Sequence, residues 1–266
     1  MNHLIIGYGF LGKALLQRYS NRQCYLIKRS NNLDFSNLRH CLINLDVNDL
    51  TSWSGLDCLR DDLTVYFMVP PSQIDLDLFP QFIEKLDQLN IKRRILVSST
   101  VVYGKTEREV DADSEVCLDS ERAKRQYEIE TIWRNQSSHA AIVRLAGLYG
   151  NHRVIGRRQI EQGQAIGGNP KAWLNLIHID DAAALLECMA TLEMVSEIEL
   201  GSDGAPLRRQ DYYSLLARLL NFKSPKFENN SDELGRCCNN ELTIARTGWY
   251  PKYSDIEVAL EHCLNN

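Results

Sequence analysis

A surplus of basic residues is missing from this chain. Thirty Lys and Arg stand against 35 Asp and Glu, a formal net charge of -5. A nucleic-acid-binding face needs a basic patch or stripe. Only three short clusters occur: Lys92-Arg93-Arg94, Arg157-Arg158 and Arg208-Arg209. They read as solvated faces or anion contacts, so nucleic acid is not expected as a partner. Long apolar runs are also missing, and none approaches the roughly 18 residues that span a membrane. The opening MNHLIIGYGFLG has no basic leader, so no secretory signal is expected. None of the eight cysteines forms a C-x-x-C pair, and adjacent Cys237 and Cys238 suit neither a simple disulfide nor a zinc knuckle. No metal site is expected. The thiols are expected to be buried in a reducing cytosol, which makes the chain soluble and cytoplasmic.

Short apolar runs recur through the first two-thirds: 3–7, 24–28, 41–46, 63–70, 94–99 and 140–147. Polar stretches with helical spacing separate most of them. Leu11, Ala14, Leu15 and Tyr19 share one face, as do Phe79, Phe82, Ile83 and Leu86. Strands alternating with helices predict an α/β, Rossmann-type doubly wound parallel sheet. After Gly150 the texture becomes irregular. That predicts a domain over 1–150 and a smaller C-terminal substrate lobe over 151–266. The lobe is expected to hold a helix within 174–192 capped by Asp180 or Asp181. A strand over 197–200 and helices over about 209–220 and 254–263 follow.

GYGFLG (7–12) follows the first strand and opens the first helix. Gly7 permits a tight turn, Gly9 lets backbone approach a pyrophosphate, and Gly12 lets helix and strand pack closely. Phe10 and Leu11 complete the contact set at the helix N-terminus. The alternative is a turn that serves packing alone. An NAD site usually places Asp or Glu at the end of the second strand. That place reads Lys28-Arg29-Ser30, two cations and a hydroxyl, which points to NADP(H) rather than NAD. The alternative leaves both cations solvated, with NAD held by other contacts. Asp46 is expected at the third strand's end near the adenine. Val69 and Pro70 are expected at the fourth strand's end, walling the adenosine.

Further segments extend this pattern: LVSSTVVYG (96–104), VRLAGLYG (143–150), NLIHIDDAAAL (175–185) and RTGWYPKYSDIEVAL (246–260). Together they resemble the extended short-chain dehydrogenase/reductases, including the NAD-dependent epimerase/dehydratase proteins, over nearly the whole chain. The resemblance implies a Ser or Thr, a Tyr and a Lys at the active site. Ser99 stands at the Ser/Thr position, which holds a substrate oxygen. Lys124 stands at the lysine position, which binds the nicotinamide ribose, and Glu128 matches the glutamate that follows. The tyrosine position is Ser120. An aliphatic hydroxyl is far less acidic than a phenol, so Ser120 does not replace it as proton donor. The dehydratases' Asp-Glu pair is replaced by Thr100-Val101, which argues against dehydration by that route.

Tyr149, Arg153, Asn175 and His178 are candidate substrate contacts, and Arg144, Arg153 and Arg157 could hold a phosphate or carboxylate. Tyr149 and His178 have the alternative of structural roles. Two functions follow. One is an NADP-dependent oxidoreductase or epimerase-like enzyme acting on a small molecule. The other is an inactive NADP(H)-binding sensor. The expected state is a monomer or a homodimer, since the charged helix around Lys124 is a poor apolar dimer face.

Overall fold

The computed structural model describes residues 2–29, 40–59, 62–136, 140–193, 196–228 and 231–265. Ser30 lies outside the described residues. Seven strands form the main sheet: β1 Asn2–Ile6, β2 Cys24–Lys28, β3 His40–Asn44, β4 Leu63–Phe67, β5 Ile91–Ser99, β6 Ala140–Leu145 and β7 Ile198–Gly201. Their order is β7-β6-β5-β4-β1-β2-β3. The pairs β1/β2, β1/β4, β2/β3 and β4/β5 are parallel. Ile142 N–H bonds Glu197 O and Ala146 N–H bonds Gly201 O, so β6 and β7 advance in the same direction. Strands covered on both faces need unbroken apolar runs. Leu4, Ile5 and Ile6 of β1 and all five residues of β4 are buried accordingly.

Helices α1 (Phe10–Arg18), α2 (Phe79–Asp87) and α3 (Glu121–Asn135) follow β1, β4 and β5. The predicted face of α2, Phe79, Phe82, Ile83 and Leu86, is buried. Ile129 and Trp133 of α3 join the same core, with the Trp133 ring 5.6 Å from that of Phe67. The chain then adds α4 (Arg157–Glu161), α5 (Ile179–Thr191), α6 (Arg209–Leu219), α7 (Glu241–Thr247) and α8 (Ile256–Asn265).

Two compact units emerge, and both are discontinuous. The first is Met1–Ser99, Lys124–Arg144 and Ala183–Glu199. The second is Thr100–Ala123, Leu145–Ala182 and Leu200–Asn266, with a core around Tyr149, Leu176, Tyr212, Leu216 and Leu260. The strand expected inside the lobe, 197–200, is instead the edge strand β7 of the main sheet, because it aligns beside β6.

Other expectations are corrected at element ends. His178 caps α5, its Nδ1 accepting Asp180 N–H at 3.2 Å, which displaces the expected Asp180 or Asp181. Asp181 accepts Lys252 N–H at 2.8 Å and Tyr253 N–H at 2.9 Å instead. The last helix begins at Ile256, since the Asp255 carboxylate accepts Glu257 and Val258 N–H just ahead of it. Burial of the thiols holds for Cys24, Cys238 and Cys263, whereas Cys41 and Cys58 are exposed. None of the eight cysteines, all among the described residues, forms a disulfide. Among the described residues no helix is long and apolar enough to cross a membrane, and no group of His, Cys, Asp or Glu could hold a metal ion.

Candidate functional site

Parallel strands place their carboxyl ends along one edge. Along that edge the first unit sets out Asp46 beyond β3, Lys28 and Arg29 at β2, Gly7 after β1, Val69 and Pro70 beyond β4, and Ser99 ending β5. The strand order reverses at β1, whose neighbours are β2 and β4. Open α/β sheets bind ligands at such a switch point.

The three glycines there do different work. Gly7 has φ +98°, and a Cβ on it would lie 2.8 Å from the Met68 carbonyl carbon. A Cβ on Gly12 would lie 2.9 Å from Gly7 O. Both are needed by the chain's own packing. Gly9 is exposed, and a Cβ there would meet nothing within 4 Å. It precedes α1 as N-cap and, having no side chain, makes no side-chain cap hydrogen bond of its own. Phe10 is half-buried, and Leu11 is buried against the sheet.

The strand ends on the two sides of β1 are tied together. Arg29 donates to Gln73 Oε1 at 2.9 Å. Asn48 donates to Gln73 O at 2.7 Å, and its own N–H is accepted by Asp46 Oδ1 at 3.0 Å. Asp46 lies two residues past β3 rather than ending it. Its carbonyl turns the chain by accepting Trp53 Nε1–H and the Ser52 hydroxyl. Val69 is half-buried on the first unit's core and Pro70 is exposed. Arg125 of α3 reaches the same loop, donating to Pro71 O at 2.9 Å and to Ile74 O.

Lys124 is exposed in the first turns of α3, and Ser99 is half-buried. Ser120 stands just before α3, where its Oγ accepts Ala123 N–H at 3.2 Å. It is an N-cap, a task serine performs well and a phenol does not. Arg144 cannot hold a substrate anion. It is 2% exposed and bonds Glu130 twice, Nε to Oε1 at 3.1 Å and Nη2 to Oε2 at 2.7 Å. Ser98 donates to the same carboxylate. Sequence reasoning missed this network, although a signal existed. Glu130 falls at helical spacing among the buried Ala123, Gln126 and Trp133, so a charge sits on the inward face.

The second unit carries the remaining candidates. Tyr149 is fully buried, its hydroxyl finds no hydrogen-bond partner among the described residues, and burial pushes it well above the usual phenol range. His178 is buried 3.9 Å from the Tyr253 ring, with Cys263 Sγ 3.4 Å from its Nε2. Burial lowers its pKa to about 4, so the ring is neutral. Asn175 clamps backbone, donating to Arg236 O at 2.9 Å and accepting Cys238 N–H at 2.7 Å. Arg153 is exposed at a turn where its backbone pairs with Gly150. Arg157 pairs with Glu161 at 2.7 Å on the surface of α4.

No family model matches the chain. Protein YeeZ of Escherichia coli K12 is 24% identical over 265 residues, covering 94% of this chain and 96% of that protein. A Methylobacillus flagellatus structure, a candidate NAD-dependent epimerase/dehydratase, superposes with TM-score 0.82 and 22% identity. The match covers 99% of this chain and 97% of that one. The chain shares the Rossmann-type α/β fold of that structure. A UDP-glucuronic acid 4-epimerase from Bacillus cereus, in complex with UDP-glucuronic acid and NAD, superposes with TM-score 0.80 at 16% identity. There the cover is 100% of this chain and 99% of that one.

Proposed function

We propose that this chain belongs to the extended short-chain dehydrogenase/reductase type and binds a nicotinamide dinucleotide across the 7–12 turn. In this reading it is an oxidoreductase or epimerase-like enzyme acting on a sugar nucleotide or another small carbonyl compound. The observation that carries the reading is Gly9. Among the described residues no atom would crowd a Cβ on Gly9, while its two companions are required by backbone contacts. A pyrophosphate over the first turn of α1 supplies the missing reason. The dinucleotide, when bound, supplies hydride transfer. Lys124 would hold the nicotinamide ribose, and Ser99 the substrate oxygen. Arg29, oriented by Gln73, favours NADP(H) over NAD(H), since a 2′-phosphate adds a charge-assisted contact. The Bacillus cereus protein was captured with NAD, and Arg29→Ala tests the preference.

Gly9→Val places a branched side chain in the pyrophosphate's path. Dinucleotide affinity measured by calorimetry should vanish while the melting temperature stays close to wild type. Retained affinity in the folded variant would refute the turn as the binding site.

A second reading, a dinucleotide-binding sensor without turnover, is favoured by Ser120. The position that the resemblance gives to the general acid is used as a helix cap. Loss of reduced-nicotinamide absorbance with a panel of carbonyl compounds and sugar nucleotides identifies an enzyme. Tight binding with no turnover across the panel identifies a sensor.

A further inference from the structure

The buried ion pair has a consequence for Lys124. Glu130 is fully buried and Arg144 is 2% exposed, and the two meet through a two-pronged contact. Glu130 belongs to α3, Arg144 to β6, and Ser98, which also bonds Glu130, to β5. One carboxylate therefore ties the helix bearing Lys124 to the strand bearing Ser99 and to that strand's neighbour. All of these residues lie in the first unit. Burying two charges gains little net stability, because desolvation offsets their attraction, and apolar replacements are often as stable. The geometry of a two-pronged guanidinium–carboxylate contact, by contrast, is specific.

Apolar contacts from Ile129 and Trp133 hold α3 on the sheet, but apolar packing is non-directional and does not by itself fix the roll of the helix. Arg125 adds a tie at the N-terminal end of α3, to the Pro71 and Ile74 carbonyls of a loop rather than to a strand of the sheet. Lys124 lies six residues before Glu130, about 9 Å along the axis. Its ammonium extends roughly 8 Å from that axis, so a roll of about 20° would move it by about 3 Å, a full hydrogen-bond length. We propose that Glu130, clamped by Arg144 and Ser98, is the positioning residue for Lys124, setting the helix roll that presents the ammonium to the nicotinamide ribose. The inference rests on the dinucleotide reading above.

The experiment compares wild type, Lys124→Met, a triple replacement (Ser98→Ala, Glu130→Met and Arg144→Met), and the triple combined with Lys124→Met. Arg144→Lys is the milder companion, since lysine keeps the charge but loses the planar fork. Melting temperature and the dissociation constants of NADPH, NADH and ADP are measured for each. ADP lacks the nicotinamide ribose and serves as the internal reference. In the folded triple variant and in Arg144→Lys, ADP affinity should hold while dinucleotide affinity relative to ADP falls about tenfold, as on losing one charge-assisted bond. Adding Lys124→Met should then cost nothing more. An unchanged ratio in either folded variant, or losses that add in full, overturns the proposal. A wild type that binds neither dinucleotide fails at the earlier reading and takes this inference with it.

Discussion

Among the glycines, identical residues have opposite expected responses. Gly12→Ala should destabilise the fold by about 1–3 kcal/mol, because its methyl group meets Gly7 O, a backbone atom held by the turn. Chemical denaturation reads that loss directly. Gly9→Val, in open space, should cost no more than an unfavourable N-cap exchange, about 1 kcal/mol or less. Arg29→Ala should weaken NADPH about tenfold or more and leave NADH nearly unchanged, since only the former carries the 2′-phosphate. Equal losses for both cofactors, measured by calorimetry, would remove the case for NADP. The glycine pattern was legible as a motif. The separate jobs of its members were not, because Cβ clearance depends on Met68 and on the returning backbone of Gly7.

At the scale of the element, the ends of α3 and α5 invite tests. Ser120→Ala removes the acceptor for Ala123 N–H and should cost about 1 kcal/mol. Ser120→Asp should restore it, and Ser120→Tyr should lose it like alanine. Urea midpoints for the three variants separate a cap from a residue of no structural weight. Asp181 offers a larger effect. Its carboxylate holds two backbone N–H groups, of Lys252 and Tyr253. Asp181→Ala should cost roughly 2 kcal/mol or more, with Asn recovering part of it. The acidic pair of IDDAAAL read as an N-cap in the sequence. That reading failed because His178, one residue ahead of α5, presents an unprotonated ring nitrogen at the right distance. This frees Asp181 to bond a segment about 70 residues away.

For the molecule as a whole, buried titratable groups set the pH profile. His3 stacks 3.7 Å from the Tyr19 ring, and among the described residues neither of its nitrogens has a hydrogen-bond partner. Burial, reinforced by Arg22, lowers its pKa from 6.5 to about 4, and burial lowers His178 likewise. Between pH 6.5 and 4 the unfolded chain binds these protons and the folded chain does not, so stability falls as the pH drops. The slope is at most about 1.4 kcal/mol per pH unit for each histidine. Asp203 opposes this. Burial, with Asp181 nearby, raises its carboxyl from 3.8 to about 7, so its contribution declines as pH rises from 4 to 7. His3→Phe, which preserves the stack, should flatten the acid limb of a melting-temperature profile, and Asp203→Asn should steepen it. A His3→Phe profile parallel to wild type would show that this ring titrates normally.

The sequence by itself determined the strands through β6, the amphipathic faces of α1 and α2, the helix starting near Arg209 and the turn at Gly7–Gly12. Each of these is written in local period or in one residue's conformational range. Tertiary structure alone decided that 198–201 is the sheet's edge strand, that Arg144 faces Glu130 rather than a ligand, and that Asn175, Tyr149 and His178 are engaged or enclosed within their own unit. It also made Ser120 a helix cap. These depend on which distant segments meet, and a charged or polar side chain looks the same in a sequence whether it will face water, a buried partner or a backbone N–H.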